Sequence, residues 1–194
     1  MIVTSSIFRE YDIRGTYPQE LNEESIKHIA HAIAKKCKKE NIDFLVVGRD
    51  GRLSGPSLLN AFCCGLNESG INVKNIGLVT SPMLYFAAKK EISKSGVIIT
   101  GSHNPKNYNG IKMVINDESV SGSEILGLMS DVLPSSALEK GTLIYDEIKD
   151  IYLKEVVENI NLPKGDKLKV VLDCGNGAAA VSYTHLTLPT ILLV

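Results

Sequence analysis

Val97-Ile98-Ile99-Thr100-Gly101-Ser102-His103-Asn104-Pro105 decides the reading of this chain. A short, unbroken apolar run is the pattern of a strand covered on both faces, and it stops at a glycine, a serine and an Asn-Pro pair that cannot continue it. The same unit occurs twice upstream. Phe44 to Gly48 runs into Gly48-Arg49-Asp50-Gly51-Arg52, and Ile76 to Val79 runs into Thr80-Ser81-Pro82. Between these strands lie helical patterns: Leu58, Leu59, Phe62 and Leu66 up to Gly70, and Leu84 to Lys90. Covered strands alternating with amphipathic helices predict a layered α/β/α domain with a mixed, mostly parallel sheet, whose polar loops gather at the strand C-terminal ends.

Outward from this centre, Asn22 caps a predicted helix with Glu23 and Glu24 in its first turn and Ile26, Ile29, Ala30, Ile33, Ala34 and Cys37 along one face. Four lysines near its end, Lys35, Lys36, Lys38 and Lys39, complement the negative helix terminus. Ile111 to Ile115 reads as a strand reached through a glycine-containing turn, and Ser121-x-x-Glu124 as a capping box for a helix carrying Ile125, Leu128, Met129 and Val132. The first domain, residues 1–140, is expected to close there. Residues 141–181 read as a linker helix around Ile148, Tyr152, Val156 and Ile160, then the incomplete start of a second, similar domain at Leu168 to Leu172.

Bulk composition excludes several classes. The 194 residues are 44% hydrophobic, and 21 basic and 22 acidic residues are well mixed, for a net charge of −1. No general field attracts nucleic acid or an anionic membrane, so anion recognition must be local. No signal-like or membrane-spanning apolar run occurs, which predicts a cytoplasmic protein. Cys37, Cys63, Cys64 and Cys174 lack metal-ligand spacing and are expected to be reduced and mostly buried.

Ser102 follows a buried strand and a glycine that lets backbone come close, so its hydroxyl should be presented. Arg9 and Arg14, Arg49 and Arg52, and Lys106 and Lys112 could converge on it to make a pocket for phosphate. The alternative is a local turn hydrogen bond from Ser102 and surface arginines, with Arg49, Asp50 and Arg52 forming an ion-pair network behind the site. A Ser-His hydrolase is disfavoured because neighbours in an extended segment point to opposite sides, and no Gly-x-Ser-x-Gly elbow occurs. A Gly-x-x-x-x-Gly-Lys-Ser/Thr phosphate loop is also absent.

Phe8-Arg9-Glu10-Tyr11-Asp12-Ile13-Arg14-Gly15, Gly48 to Gly55, Thr100 to Pro105, Asn107 to Lys112 and Val171 to Gly177 together resemble the α-D-phosphohexomutases of the phosphomannomutase/phosphoglucomutase type. The resemblance covers roughly residues 7 to 180 of the sequence. It implies an enzyme interconverting hexose 1-phosphate and hexose 6-phosphate, with mannose or glucose as the sugar, through a phosphoserine at Ser102 and a hexose 1,6-bisphosphate intermediate. It implies His103 and Lys112 as groups for proton transfer or charge stabilisation, Arg14 and Tyr11 beside the phosphoserine, and Asn104 among the substrate contacts. It implies Mg²⁺ on a phosphoserine oxygen of Ser102, with the remaining Asp ligands in a second domain that this chain lacks. Gly101 and the Tyr-Asp-Ile-Arg-Gly opening favour hexose over glucosamine phosphate, the alternative substrate; a non-catalytic sugar-phosphate-binding module is the other alternative. The implied partner is a phosphorylated hexose, not nucleic acid or membrane. The fragment is expected to be inactive alone. Residues 182–194 depart from the resemblance and read as a foreign tail on a truncated frame.

Overall fold

The computed structural model describes residues 3–130, 139–160, 171, 173–175 and 177–179. Its main elements are β1 (Ile13–Thr16), α1 (Glu23–Lys39), β2 (Phe44–Arg49), α2 (Gly55–Glu68), β3 (Asn72–Leu78) and α3 (Ser81–Lys90), then β4 (Gly96–Ile99), β5 (Tyr108–Ile115), β6 (Glu118–Ser119), α4 (Ser123–Ser130), β7 (Leu143–Tyr145) and α5 (Lys149–Asn159). The strands form one mixed sheet in the order β1-β5-β4-β2-β3-β7, with β6 beside β5. Strands β4, β2, β3 and β7 are mutually parallel, while β5 runs antiparallel to β1, β4 and β6.

Side chains of successive strand residues enter opposite layers, as a period of two requires. Leu45, Val47, Val97, Ile99, Ile111 and Met113 join the cluster built with α1, α2 and α4. Val46 and Ile98 join the smaller cluster with Met83, Leu84 and Ala87 of α3 and Ile148 at the start of α5. The α/β/α layering expected from the apolar runs is therefore present.

Local signals explain most boundaries. Asn22 Oδ1 accepts from the Ser25 N–H at 2.9 Å and Ser25 Oγ accepts from the Asn22 N–H at 2.9 Å, a reciprocal cap that starts α1. The box predicted at Ser121 does not form, because α4 opens at Ser123 and the Glu124 carboxylate pairs with Lys36 at 2.7 Å. Strand β3 starts at Asn72, earlier than its apolar run, because Asn72 and Val73 pair with Phe44 and Leu45 of β2; Lys74 within it is held by Glu91 at 2.7 Å and Asp146 at 3.3 Å. Gly110 lies inside β5 and not in a turn before it. Strand β7 pairs with β3 and carries the sheet past the boundary expected near 140. Val132, nearly all of the strand expected at 168–172 and the tail at 182–194 lie outside the described residues.

Among the cysteines, Cys37 and Cys63 are buried and Cys64 is exposed. Burial pushes the Cys37 and Cys63 thiols up to about 12.

His31 makes the α1–α2 contact sensitive to pH. Burial pulls its pKa down, reinforced by His28 and Lys27 and opposed by the nearby Glu68 carboxylate. The folded chain thus keeps His31 neutral, while the unfolded chain takes up a proton below about pH 6.5. Stability is full above that value and falls as pH drops through it. Urea unfolding at pH 7.5 and 5.5 should show the loss, and His31→Gln should shrink it; an unchanged pH difference would refute the assignment.

Candidate functional site

Strand β4 ends at Ile99, and the Thr100 N–H donates to Gly110 O at 2.9 Å, so the following loop leaves the sheet beside β5. Ser102 adopts φ of 52°, the left-handed region. Its N–H donates to Thr100 Oγ1 at 2.9 Å and its side chain is exposed. The left-handed turn overturns the extended-segment reading: Ser102 Oγ lies 3.2 Å from His103 Nδ1, on the same side. A non-glycine residue in this region costs roughly 1–2 kcal/mol unless its surroundings hold it.

Two residues of the loop after β2 hold it. Asp50 Oδ2 accepts from Thr100 Oγ1 at 2.8 Å, from the Gly101 N–H at 3.0 Å and from Arg52 Nε at 3.3 Å, while Oδ1 accepts from the Arg52 N–H at 3.0 Å. The Arg52 guanidinium then donates to the carbonyls of Pro105 and Tyr108 through Nη1, at 2.6 and 2.8 Å. Through Nη2 it donates to Ser102 O and Asn104 O, at 3.1 and 2.6 Å. Arg49 Nη1 donates to Asp50 O at 2.9 Å. The network expected behind the site is thus built, chiefly on backbone oxygens. Asn104 also braces the loop, its Nδ2 donating to Gly101 O at 2.8 Å.

A second group stands on β1 and β5. The register sets Ile13 opposite Ile111 and Arg14 opposite Gly110. Ile13, Ile111 and Met113 face the α1–α2 core, so Asp12, Arg14 and Lys112 project to the other face, beside Ile98. The Asp12 carboxylate, 8% exposed, pairs with both Arg14 and Lys112, the latter at 3.3 Å. Sequence reasoning singled out Arg14 and Lys112 but not Asp12. The alternation Asp12-x-Arg14 was visible, yet the register that brings Lys112 to the same carboxylate was not. Tyr11 is 71% exposed.

Ser102, Asn104 and Lys106 border an open cavity of about 560 Å³ with Thr80 and Ser81 at the N-terminus of α3, and with Gly175. Lys106 therefore lies on the serine's cavity, and Arg52 lines it too, although the nitrogens of its guanidinium are engaged by protein oxygens. Among the described residues no three His, Cys, Asp or Glu side chains converge as a cation site. With Asp50 and Asp12 each engaged in hydrogen bonds or ion pairs, the described residues do not by themselves fit Mg²⁺. No helix among the described residues is long and apolar enough to cross a membrane.

A serine loop at the end of a central strand of a mixed, two-sided sheet defines a three-layer α/β/α domain. Residues 5–127 match the family model described as phosphoglucomutase/phosphomannomutase, alpha/beta/alpha domain I. The chain belongs to the phosphoglucomutase/phosphomannomutase family. It is similar to the phosphomannomutase/phosphoglucomutase of Pseudomonas syringae pv. tomato, 43% identical over 95% of this chain and 40% of that protein. The phosphoglucomutase of Neisseria meningitidis serogroup B is 41% identical over 90% of this chain and 38% of its own length. The crystal structure of a phosphoglucomutase/phosphomannomutase family protein from Burkholderia thailandensis superposes with a TM-score of 0.88 at 35% identity, covering 95% of this chain and 42% of that one. This chain spans about two fifths of the length of the curated relatives it matches.

Proposed function

We propose that this chain is the phosphate-carrying portion of a cytoplasmic phosphohexomutase acting on mannose or glucose phosphates, with Ser102 as the carrier. The observation that supports this most is the presented Ser102 hydroxyl, with His103 Nδ1 at 3.2 Å and a loop backbone pinned by Asp50 and Arg52. In the resting state Ser102 bears a phosphoryl group of about −1.5 to −2 charge. A hydroxyl of hexose 1- or 6-phosphate attacks phosphorus, the P–Oγ bond breaks, and the attacking hydroxyl's proton passes to a base while Ser102 Oγ takes one up. Hexose 1,6-bisphosphate results. After it reorients, Ser102 Oγ attacks the other phosphorus and gives its proton to a base while the bond from that phosphorus to the sugar oxygen breaks and the sugar oxygen takes up a proton, restoring the phosphoserine and releasing the isomer.

His103 and Lys112 are the groups we assign to proton transfer and charge stabilisation, with Arg14 as a further cation; phosphoryl transfer depends mainly on positioning and electrostatics. Asp12 keeps Arg14 and Lys112 together. Tyr11 and Asn104 are proposed to meet the sugar phosphate. Because this chain spans about two fifths of the length of its curated relatives, it is proposed not to turn over alone.

A chimera in which this chain replaces the matching part of the Pseudomonas syringae relative provides the test. Incubation with glucose 1,6-bisphosphate should place phosphate on Ser102, read by fragmentation mass spectrometry, and Ser102→Ala should remove mutase turnover. Phosphate on another residue, or turnover retained by Ser102→Ala, would overturn the proposal.

A further inference from the structure

We propose that Arg52 is a positioning residue for Ser102, whose guanidinium holds the serine backbone in its left-handed turn and so keeps Oγ within reach of His103. The inference rests on Ser102 as phosphate carrier and adds what controls its geometry. Arg52 has five side-chain N–H bonds. Its nitrogens reach five acceptors: Asp50 Oδ2 and the carbonyls of Ser102, Asn104, Pro105 and Tyr108. The side chain is only 13% exposed. A cation engaged in this way is a structural cross-brace between the loop after β2 and the loop after β4, not a clamp for a ligand's phosphate.

The sequence on the other loop matches this use. A Cβ built on Gly101 would collide with Cζ and Nε of Arg52, so the missing side chain is the space in which the guanidinium lies. Four carbonyl oxygens aimed at one point repel each other unless a planar cation sits between them. Lysine offers one point of charge and cannot span them. Loss of the guanidinium should therefore release the turn at Ser102 and part Oγ from Nδ1.

A thiol in place of the serine hydroxyl reports this geometry without requiring turnover. In the full chain, Ser102→Cys is combined with Cys64→Ser and Cys174→Ser; Cys37 and Cys63 are buried, their thiols pushed up to about 12, and stay silent. Beside His103 the introduced thiolate pairs with imidazolium, so its alkylation midpoint should fall below the ordinary value of about 8.5. Adding Arg52→Lys should return the midpoint to about 8.5. It should also speed hydrogen exchange at the Asn104 and Tyr108 amides, which donate within the loop. Gly101→Ala, which retains Arg52 but crowds it out, should do the same and covers the case in which Arg52→Lys fails to fold. Millimolar guanidinium added to Arg52→Ala should restore the low midpoint, a rescue that general loosening cannot give.

An unshifted midpoint in both Arg52→Lys and Gly101→Ala, or an ordinary midpoint with Arg52 intact, overturns the proposal. The phosphate-carrier reading fails separately: Ser102 in the chimera would refuse phosphate while the thiol midpoint of Ser102→Cys still answered to Arg52.

Discussion

Asp50→Ala is expected to destabilise the chain by about 3 kcal/mol and to slow phosphate uptake at Ser102 in the chimera by on the order of 100-fold. The Asp50 side chain is 18% exposed and one carboxylate accepts from Thr100 Oγ1, the Gly101 N–H, the Arg52 N–H and Arg52 Nε. Hydrogen bonds to a charged group are worth about 1.5–3 kcal/mol each, and water reaching the partly open site offsets some of them. The kinetic loss has a different origin. Without the carboxylate, the Gly101 amide and the Arg52 guanidinium lose their common anchor, and a displacement of about 1 Å at Ser102 suffices for the stated factor. Urea unfolding should show a lower midpoint with an unchanged slope, and Asp50→Asn, which retains an acceptor, should lose less. A stability change under about 1 kcal/mol would mean that Asp50 does not anchor the loop.

Phe62→Ala carries the largest expected loss of stability, about 3–5 kcal/mol. Phe62 is fully buried, between the α2 neighbours Leu58 and Leu66 on the face that meets α1 and the sheet. Truncation removes most of a buried aromatic and leaves a cavity that the surrounding isoleucines and leucines fill only in part. Against a domain stability of about 5–15 kcal/mol, this should lower the thermal midpoint sharply. Leu53→Ala is the matched control, because Leu53 is fully exposed and should change stability by less than about 0.5 kcal/mol. Equal effects from the two changes would show that the core assigned to α2 is wrong.

The apolar runs Phe44 to Gly48 and Val97 to Thr100, the helical spacing of Ile26 to Cys37 and the Asn22 cap determined the layered α/β/α class without any coordinates, because each is a local pattern with a local physical cause. The same holds for the exposure of Ser102: a buried strand that meets Gly-Ser-His-Asn-Pro has to leave the sheet. Strand β1 was hidden inside a charged motif, and β7 is an exposed edge strand; each is a strand through pairing with a distant neighbour. Only the tertiary structure decided how the polar residues are used. Which of the arginines faces a ligand depends on where carbonyl oxygens lie fifty or more residues away, and that placed Arg52 on the Ser102 loop. The Asp12 bridge to Lys112 likewise follows from the antiparallel β1–β5 register. The left-handed turn that swings Ser102 towards His103 is held by its own loop together with Asp50 and Arg52 of another, and that second set of contacts is not visible in the residues next to Ser102.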